Sequence, residues 1–472
     1  MVSTSLFDKI LNHKKSNYHI IANPYLHILG HHPEFLRQYR QSKMGRLWLL
    51  TRFKLIVIVR IVHSIFGGRQ RHFMQEKNVK SDVLFVSHLT NIQQLSQDED
   101  AYFGNLPSLL LRQGVSSSVA LLKHVTVSNQ QVLEGWKGGQ IPRFVLGTSL
   151  DFLSEIKIYF AQTRSKKQLR SILRDLQVDK MLVKDILCHH LSSGTFNAIR
   201  IAQQISDIAN QVGAKFIITT YEGHAWERLV YYHSRKINPN IKCAGYQHAA
   251  IFENQHAIIR SLGKAYNPNI ILTPGLVAKN IFEKKQLKGS EIACMGSSKY
   301  SSSNITEKKS QSCLVVPEGF VSECLILFKV SLKYSKKYRN QRFIWRLHPS
   351  ISFNRLKQYS SIFENLPNNI HLSVGSLDDD ILKCDSVLYR GSTAVVNAIN
   401  AGLKPIYYQQ SSDELSIDSI YTHKKGKSIV HNQEELGLAL DRDIDVKTMQ
   451  SLHDFAQDFY TPLDANALLK LL

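Results

Sequence analysis

The chain has little of what would mark a disulfide frame, a metal centre or a membrane span. Its cysteines (Cys188, Cys243, Cys294, Cys313, Cys324 and Cys384) are scattered with no C-x-x-C pair. That pattern suits reduced thiols in a cytoplasm better than a disulfide scaffold or a zinc site. Only 12 of 472 residues are proline and 43% are hydrophobic, which excludes a disordered chain and allows two or three domains, each with its own core. The start, "MVSTSLFDKILNHKKSNYH", lacks a basic stretch followed by an apolar run and a small-residue cleavage site, so no secretory signal is expected. No D-x-D motif stands at a strand end, so no metal is expected in a chemical step. From Leu36 to Gln75 there is no Asp or Glu, against nine Lys or Arg.

The net charge is +21, and this segment concentrates it. Its middle, "RLWLLTRFKLIVIVRIVHSIF", is apolar but interrupted by Arg52, Lys54 and Arg60. Each charge at mid-bilayer would cost roughly 2.5–3.5 kcal/mol, which argues against a spanning helix. Three readings stay open: a helix partly buried on the body, an interfacial helix with snorkelling basic side chains, and a nucleic-acid arm. No run of aromatics between basic residues suggests a base-stacking platform, so no nucleic-acid partner is expected.

Beyond the arm, strand and helix patterns alternate. "SDVLFVSHLT" reads as a buried strand with polar residues at its C-terminal end, His88 among them. "SSSVALLKHVT", "GAKFIITTYEG", "IKCAGYQHA" and "PNIILTPG" follow as strands, with a helical stretch from about Ser149 to Val212. "GSSKYSSSNITEKKSQS" reads as a linker, after which "CLVVPEGF", "RFIWRLHP", "NNIHLSVG", "DSVLYRGS", "LKPIYYQ" and "KSIVH" restart the alternation. The expected architecture is α/β, with two Rossmann-like domains facing across a cleft. The boundaries are a basic helical arm at 1–75, a first domain at 76–295, a linker at 296–312 and a second domain at 313–472. Ligands of such sheets bind beyond the carboxyl ends of the strands, so the turns there carry the chemistry.

In "YRGSTAVVNAINAGLKPIYY", Gly391 permits a tight turn, and Ser392 with Thr393 either caps the next helix or cradles a phosphate. In "RLHPS", His348 follows a strand and Pro349 fixes the backbone after it. A histidine there can bond a phosphate oxygen or protonate a leaving group. His32-Pro33 is a second such pair, away from a strand end. In "TTYEGHAWERL", Glu222 stands at a strand-to-helix turn, as a helix-start charge or as a general base. Glu227 falls on the helix itself. Gln247 and His248 sit at the next strand end, where a buried, hydrogen-bonded histidine is the bland alternative. Asp378 to Asp380 precede a helix and read as its cap.

The Glu-Gly turn, "RLHP" and the later Ser/Thr turn together resemble the motif set of GT-B glycosyltransferases that use CMP-activated sugars, the bacterial sialyltransferases and Kdo transferases. The resemblance covers roughly Tyr221 to Tyr408. It implies a metal-independent transferase with no cofactor beyond its nucleotide-sugar donor, and a glycan or glycolipid acceptor at the bacterial surface. It makes Glu222 the base, His348 the residue that contacts CMP and assists its departure, and Ser392 with Thr393 the phosphate turn. His88, Gln247, His248, Arg346 and Arg390 become candidate acceptor or donor contacts, with Lys299 a third cation for a donor carboxylate. The implied location is cytoplasmic, peripheral at an anionic membrane. "CDSVLYRGSTAVVNAINAGLKPIYY" also looks like the equivalent segment of CDP-glycerol glycerophosphotransferases. Alternatives are a UDP- or GDP-sugar donor, or a non-catalytic basic scaffold that docks on membrane or nucleic acid.

Overall fold

The computed structural model describes residues 4–39, 42–66, 72–74, 79–126, 128–135, 139–147, 149–285, 287, 289–302, 305 and 311–472. Its strands are β1 (His72–Met74), β2 (Val83–Leu89), β3 (Ser117–Lys123), β4 (Arg143–Leu146), β5 (Phe216–Thr220), β6 (Lys242–Tyr246), β7 (Ile270–Thr273) and β8 (Glu291–Cys294) in the first half. The second half adds β9 (Ser312–Pro317), β10 (Arg342–Trp345), β11 (Ile370–Leu372), β12 (Ser386–Arg390), β13 (Lys404–Tyr408) and β14 (Ser428–Val430). They form an eight-stranded sheet in the order β1-β4-β3-β2-β5-β6-β7-β8 and a six-stranded sheet in the order β11-β10-β9-β12-β13-β14. Every pairing is parallel except β1 with β4.

The sequences explain this arrangement. "VLFVSHL" in β2 and "SCLVVP" in β9 are nearly continuous apolar runs, buried on both faces. A strand covered by helices on both sides must read that way, whereas a half-exposed strand alternates. In each sheet the first long strand lies in the middle. The chain winds outward from β2 through β3 to β4, then returns to its other side with β5. Likewise β9 leads to β10 and β11 before β12 takes its other side. Each sheet therefore has a switch point, β2/β5 and β9/β12, where neighbouring loops part and leave a crevice. This is the expected pair of Rossmann-like domains.

The stretch expected to be helical from Ser149 is three helices, Phe152–Asp175, Lys180–His190 and Ser193–Val212. β1, β4 and β8 are short and carry weak patterns, and the sequence reading passed over them. Two boundaries differ from expectation. Residues at the start of the chain, among them Phe7, Ile10, Ile20 and Leu26, are buried in the first domain's core and are no separate arm. At the other end, the chain crosses back after Tyr460: the Asp464 amide donates to the Met295 carbonyl, and Leu468 is buried in the first domain. Both ends carry enough apolar side chains to complete the larger domain, which local patterning could not assign.

The basic helix, Lys43–Phe66, is partly buried on the first domain, as the first of the open readings expects. Phe53 and Val57 are buried, and Phe53 stacks on Tyr159 of the neighbouring helix with ring centroids 6.1 Å apart. Met44, Leu47, Trp48, Leu55, Ile58, Val59, Val62 and Ile65 stay exposed. Among the described residues no helix is long and apolar enough to cross a membrane. Parts of the arm (Arg40, Gln41, Gly67 to Arg71, Gln75) and of the linker (Ser303, Asn304, Thr306 to Ser310) lie outside the described residues.

Candidate functional site

The carboxyl ends of both sheets open onto one cavity of about 650 Å³, which brings together Glu222, His248, His348, Pro349, Gly391, Ser392 and Thr393. These residues follow β5, β6, β10 and β12, so the two switch points face each other across the cavity.

The first-domain wall is built around the Glu222 turn. Gly223 has φ +82°, and a Cβ there would lie within 2.5 Å of the Ala257 and Ile258 backbone. Only glycine closes this turn. The helix Ala225–Ile237 that follows is capped by Glu227, whose carboxylate accepts from the amides of Gly223 and His224 at 2.8 Å and of Glu222 at 3.0 Å. Burial, with the neighbouring Glu222 charge, drives the Glu227 carboxyl up to about 7, even with the charges of His224 and Arg228 and the bond from the Glu222 amide opposing it. Capping is thus taken by Glu227, and the Glu222 carboxylate is left to the cavity. Its Oε2 accepts from His224 Nε2 at 2.9 Å, and its Oε1 lies 3.7 Å from His248 Nε2. Burial pushes Glu222 upward, but the His224 bond and the charges of His224, His248 and His31 outweigh it and hold the carboxyl well below its usual range. Burial lowers His224, and the bond to Glu222 with the Glu227 charge more than reverses this, to about 9. His248, buried with no such bond, falls to about 4. The wall therefore holds a carboxylate–imidazolium pair beside a neutral imidazole at pH 7.

The second-domain wall is a turn of hydroxyls beside histidine. Gly391 has φ +72°, and a Cβ there would come 2.5 Å from Glu318 Oε2. Thr393 makes no side-chain cap bond, and Ser392 Oγ accepts only a long bond of 3.4 Å from the Ala394 amide. Ordinary capping does not account for these hydroxyls, which line the cavity. His348 Nδ1 lies 2.8 Å from Ser350 Oγ, and burial with the Lys299 charge lowers its pKa against the pull of Glu318.

The N-terminal segment joins the two walls. His32 Nε2 and Glu318 Oε2 are 2.7 Å apart, with the His32 side chain only 3% exposed. One turn further, Ser322 Oγ donates to Glu34 at 2.6 Å, and Arg37 reaches Glu323 at 3.3 Å. His32 also packs against Phe320, with centroids 5.0 Å apart.

Other candidates stand elsewhere. Gln247 does not line the main cavity but a separate small void. His88 lies behind the wall, bonded to Thr220 Oγ1 and His124 Nε2 at 2.9 Å each. Arg346 is taken by Asp380, Ser373 Oγ and the Gly375 carbonyl. Arg390 is fully buried between Glu323 and Glu414. Of the cations considered for a donor, Lys299 alone lines the cavity. In the Asp378–Asp380 run, Asp379 completes a capping box with Ser376, while Asp380 holds Arg346.

Sequence reasoning missed His31, His32, Tyr102, His224 and Glu318, all of which line the cavity. Glu318 had a readable signal, since "VVPEGF" repeats the strand-Glu-Gly pattern of "TTYEGH". His32 had none, because its segment reaches the site from far along the chain.

No family model matches the chain, and no curated protein does. Solved structures with a similar course of fold include the glycosyltransferase SnogD from Streptomyces nogalater, at 12% identity and TM-score 0.48, over 83% of this chain and 99% of that one. MurG from Acinetobacter baumannii is similar at 11% identity and TM-score 0.45, over 82% and 98% of the two chains. The UDP-GlcNAc 2-epimerase from Neisseria meningitidis, bound to UDP-GlcNAc, is similar at 10% identity and TM-score 0.41, over 82% and 98%. At these values the likeness carries no argument about activity.

The ion pair sets a pH dependence. His224 titrates near 6.5 when unfolded and at about 9 when folded. The folded state therefore holds the extra proton between these values, and stability from the pair is full below about 6.5 and lost as pH rises through about 9. His224→Gln should flatten the alkaline decline of the melting temperature over that window. An unchanged decline in the variant would show that the pair contributes nothing there.

Proposed function

We propose that the chain is a metal-independent nucleotide-sugar transferase that works in the cleft between its domains, with a CMP-linked donor. The observation that carries this reading is the division of the cavity: an acid–base cluster on one domain opposite a phosphate-sized turn on the other. A scaffold that only docked would need no carboxylate–imidazole group facing uncapped hydroxyls.

In this reading the donor phosphate lies against Gly391, Ser392 and Thr393, and His348 donates a hydrogen bond to it as the sugar leaves. Lys299 supplies the cation for a donor carboxylate. One lysine, one histidine and two hydroxyls suit the single phosphate of a CMP-linked sugar better than a diphosphate, which would call for more positive charge. The sugar departs through an oxocarbenium-like state as the phosphate takes the bonding pair. Across the cavity Glu222 is ionised, as a base must be, and receives the acceptor proton directly or through His248. Neutral His248 can take the proton first, with Glu222 stabilising the imidazolium. The exposed apolar side of helix Lys43–Phe66, with its basic residues, supports peripheral contact with an anionic membrane.

Calorimetry should give tighter binding of CMP than of UDP, and Ser392→Ala with Thr393→Ala should weaken CMP by on the order of tenfold or more. Equal affinity for UDP would contradict the donor assignment. Glu222→Gln should lower turnover by on the order of 10²–10⁴ while leaving CMP affinity nearly unchanged. Near-normal turnover would remove Glu222 from the chemistry, and His248→Asn on the same preparation separates the direct from the relayed proton path. In flotation with anionic vesicles, Leu47→Ser with Trp48→Ser should reduce recovery several-fold. Equal recovery would make the helix purely structural.

A further inference from the structure

His31 stands on the first-domain side of the main cavity, one residue before the His32 that meets Glu318. It is 5% exposed, and neither of its ring nitrogens has a hydrogen-bond partner among the described residues. Other histidines of the same segment are engaged. His27 Nε2 lies 2.8 Å from the Ile21 carbonyl, and His32 uses Nε2 on Glu318 and Nδ1 on the Glu34 amide. A buried imidazole with both nitrogens unmet costs free energy that a hydrogen bond would recover. His31 lines a cavity large enough for a ligand, so its partner can come from outside the chain.

The chemistry of the ring limits what that partner is. Burial, helped by the His224 charge and opposed by Glu222, lowers His31 to about 3, so the ring is neutral at pH 7. A neutral imidazole offers one N–H and one lone pair. A hydroxyl both donates and accepts, and it can meet either nitrogen. A phosphate or carboxylate has lone pairs only. It can meet the N–H alone, and it would bring negative charge up to Glu222.

The rest of the first-domain lining has the same character. The loop after β2 contributes Asn91, Gln93, Gln94 and Gln97, four uncharged amides. Among the described residues this domain brings no Lys or Arg to the cavity, and Lys299 comes from the linker. The Glu222 charge is balanced within the wall by His224, 2.9 Å away. Tyr102, edge-on to His248 with centroids 4.7 Å apart, adds an apolar ring. The donor proposed above carries a phosphate and a carboxylate, and has hydroxyls, a histidine and a lysine to hold them. A half-site of amides and neutral imidazoles suits the other substrate.

We propose that His31 contacts the acceptor, binding a hydroxyl of an uncharged sugar held between the amide loop and His248, so that this half of the cavity selects a neutral sugar over an anionic one. The word acceptor rests on the transferase reading; the sugar subsite does not.

Saturation-transfer NMR titrations test this with the methyl β-glycosides of glucose, galactose and N-acetylglucosamine. Their charged counterparts are methyl β-glucuronide, methyl β-galacturonide and N-acetylglucosamine 6-phosphate. At least one neutral glycoside should bind at least tenfold more tightly than its counterpart. His31→Leu should weaken that glycoside by roughly tenfold, whereas His31→Gln, which keeps a donor and an acceptor, should retain most of the affinity. Since the His31 ring makes no internal hydrogen bond, His31→Leu should melt no lower than the unaltered protein. A lower melting temperature with glycoside affinity intact would make the histidine structural and overturn the proposal. Should His31→Leu fail to fold, Gln93→Ala with Gln97→Ala, both exposed, should weaken the glycoside several-fold. No binding by any neutral glycoside, equal binding of the charged counterparts, or unaltered affinity in the variants would overturn the subsite. A loss of CMP affinity in His31→Leu as large as the glycoside loss would put His31 on the nucleotide and overturn the acceptor assignment. CMP titrated into the same preparation keeps the readings apart: CMP binding without glycoside binding sinks this inference alone, and the reverse sinks the donor assignment alone.

Discussion

The contact between His32 and Glu318 fixes the shape of the cleft. His32 belongs to a segment packed into the first domain's core, Glu318 ends the central strand of the second sheet, and their side chains meet at 2.7 Å. Glu34 with Ser322 and Arg37 with Glu323 extend the same bridge. The bridge works because each domain is rigid by itself. Its strands are parallel and buried on both faces, so the turns beyond their carboxyl ends cannot shift without disturbing a core. Two rigid switch points held face to face define a cavity whose walls come from different domains.

That geometry separates two chemical tasks. The first-domain wall gathers a carboxylate with imidazoles and splits their proton affinities: Glu222 is held ionised, His224 charged and His248 neutral. The second-domain wall offers hydroxyls and a histidine beside Gly391, whose φ is +72° and where a Cβ would come 2.5 Å from Glu318 Oε2, and Lys299 of the linker segment lines the same cavity. Pushing apart the pKa values of neighbouring groups is how one site holds a proton donor and a proton acceptor at one pH. Buried charge elsewhere does a different job. Arg390, between Glu323 and Glu414, ties β12 to its neighbours from inside the second domain.

The sequence carried the fold well because parallel sheets leave strong marks: apolar runs of strand length, each ending in a polar or glycine turn. The same logic picks out Glu222, His348 and the Gly391–Thr393 turn, since each stands within three residues of a strand's carboxyl end, and all of them line one cavity. It could not distinguish the two sides of a strand end, so Gln247, which lines a separate void, and Arg390, which is buried between Glu323 and Glu414, stand among its candidates beside residues that do line the cavity. Nor could it place residues that arrive from afar. His32 and the returning C-terminal segment reach their positions through tertiary packing, and neither has a local periodic signal for it. Short strands such as β4 and β8 went unread because four residues hold too little pattern to separate from a loop.

Under the proposed reading, the cavity between the domains holds a nucleotide sugar with its nucleotide against the second domain. Amide hydrogen exchange with and without saturating CMP tests it most directly, since a ligand protects the backbone it contacts and the bridge it steadies. Slower exchange is expected at residues 318–320, 346–351 and 391–394, with a smaller effect at 222–224 and 31–35. Protection confined to the first domain, or to surfaces outside the cavity, would contradict it.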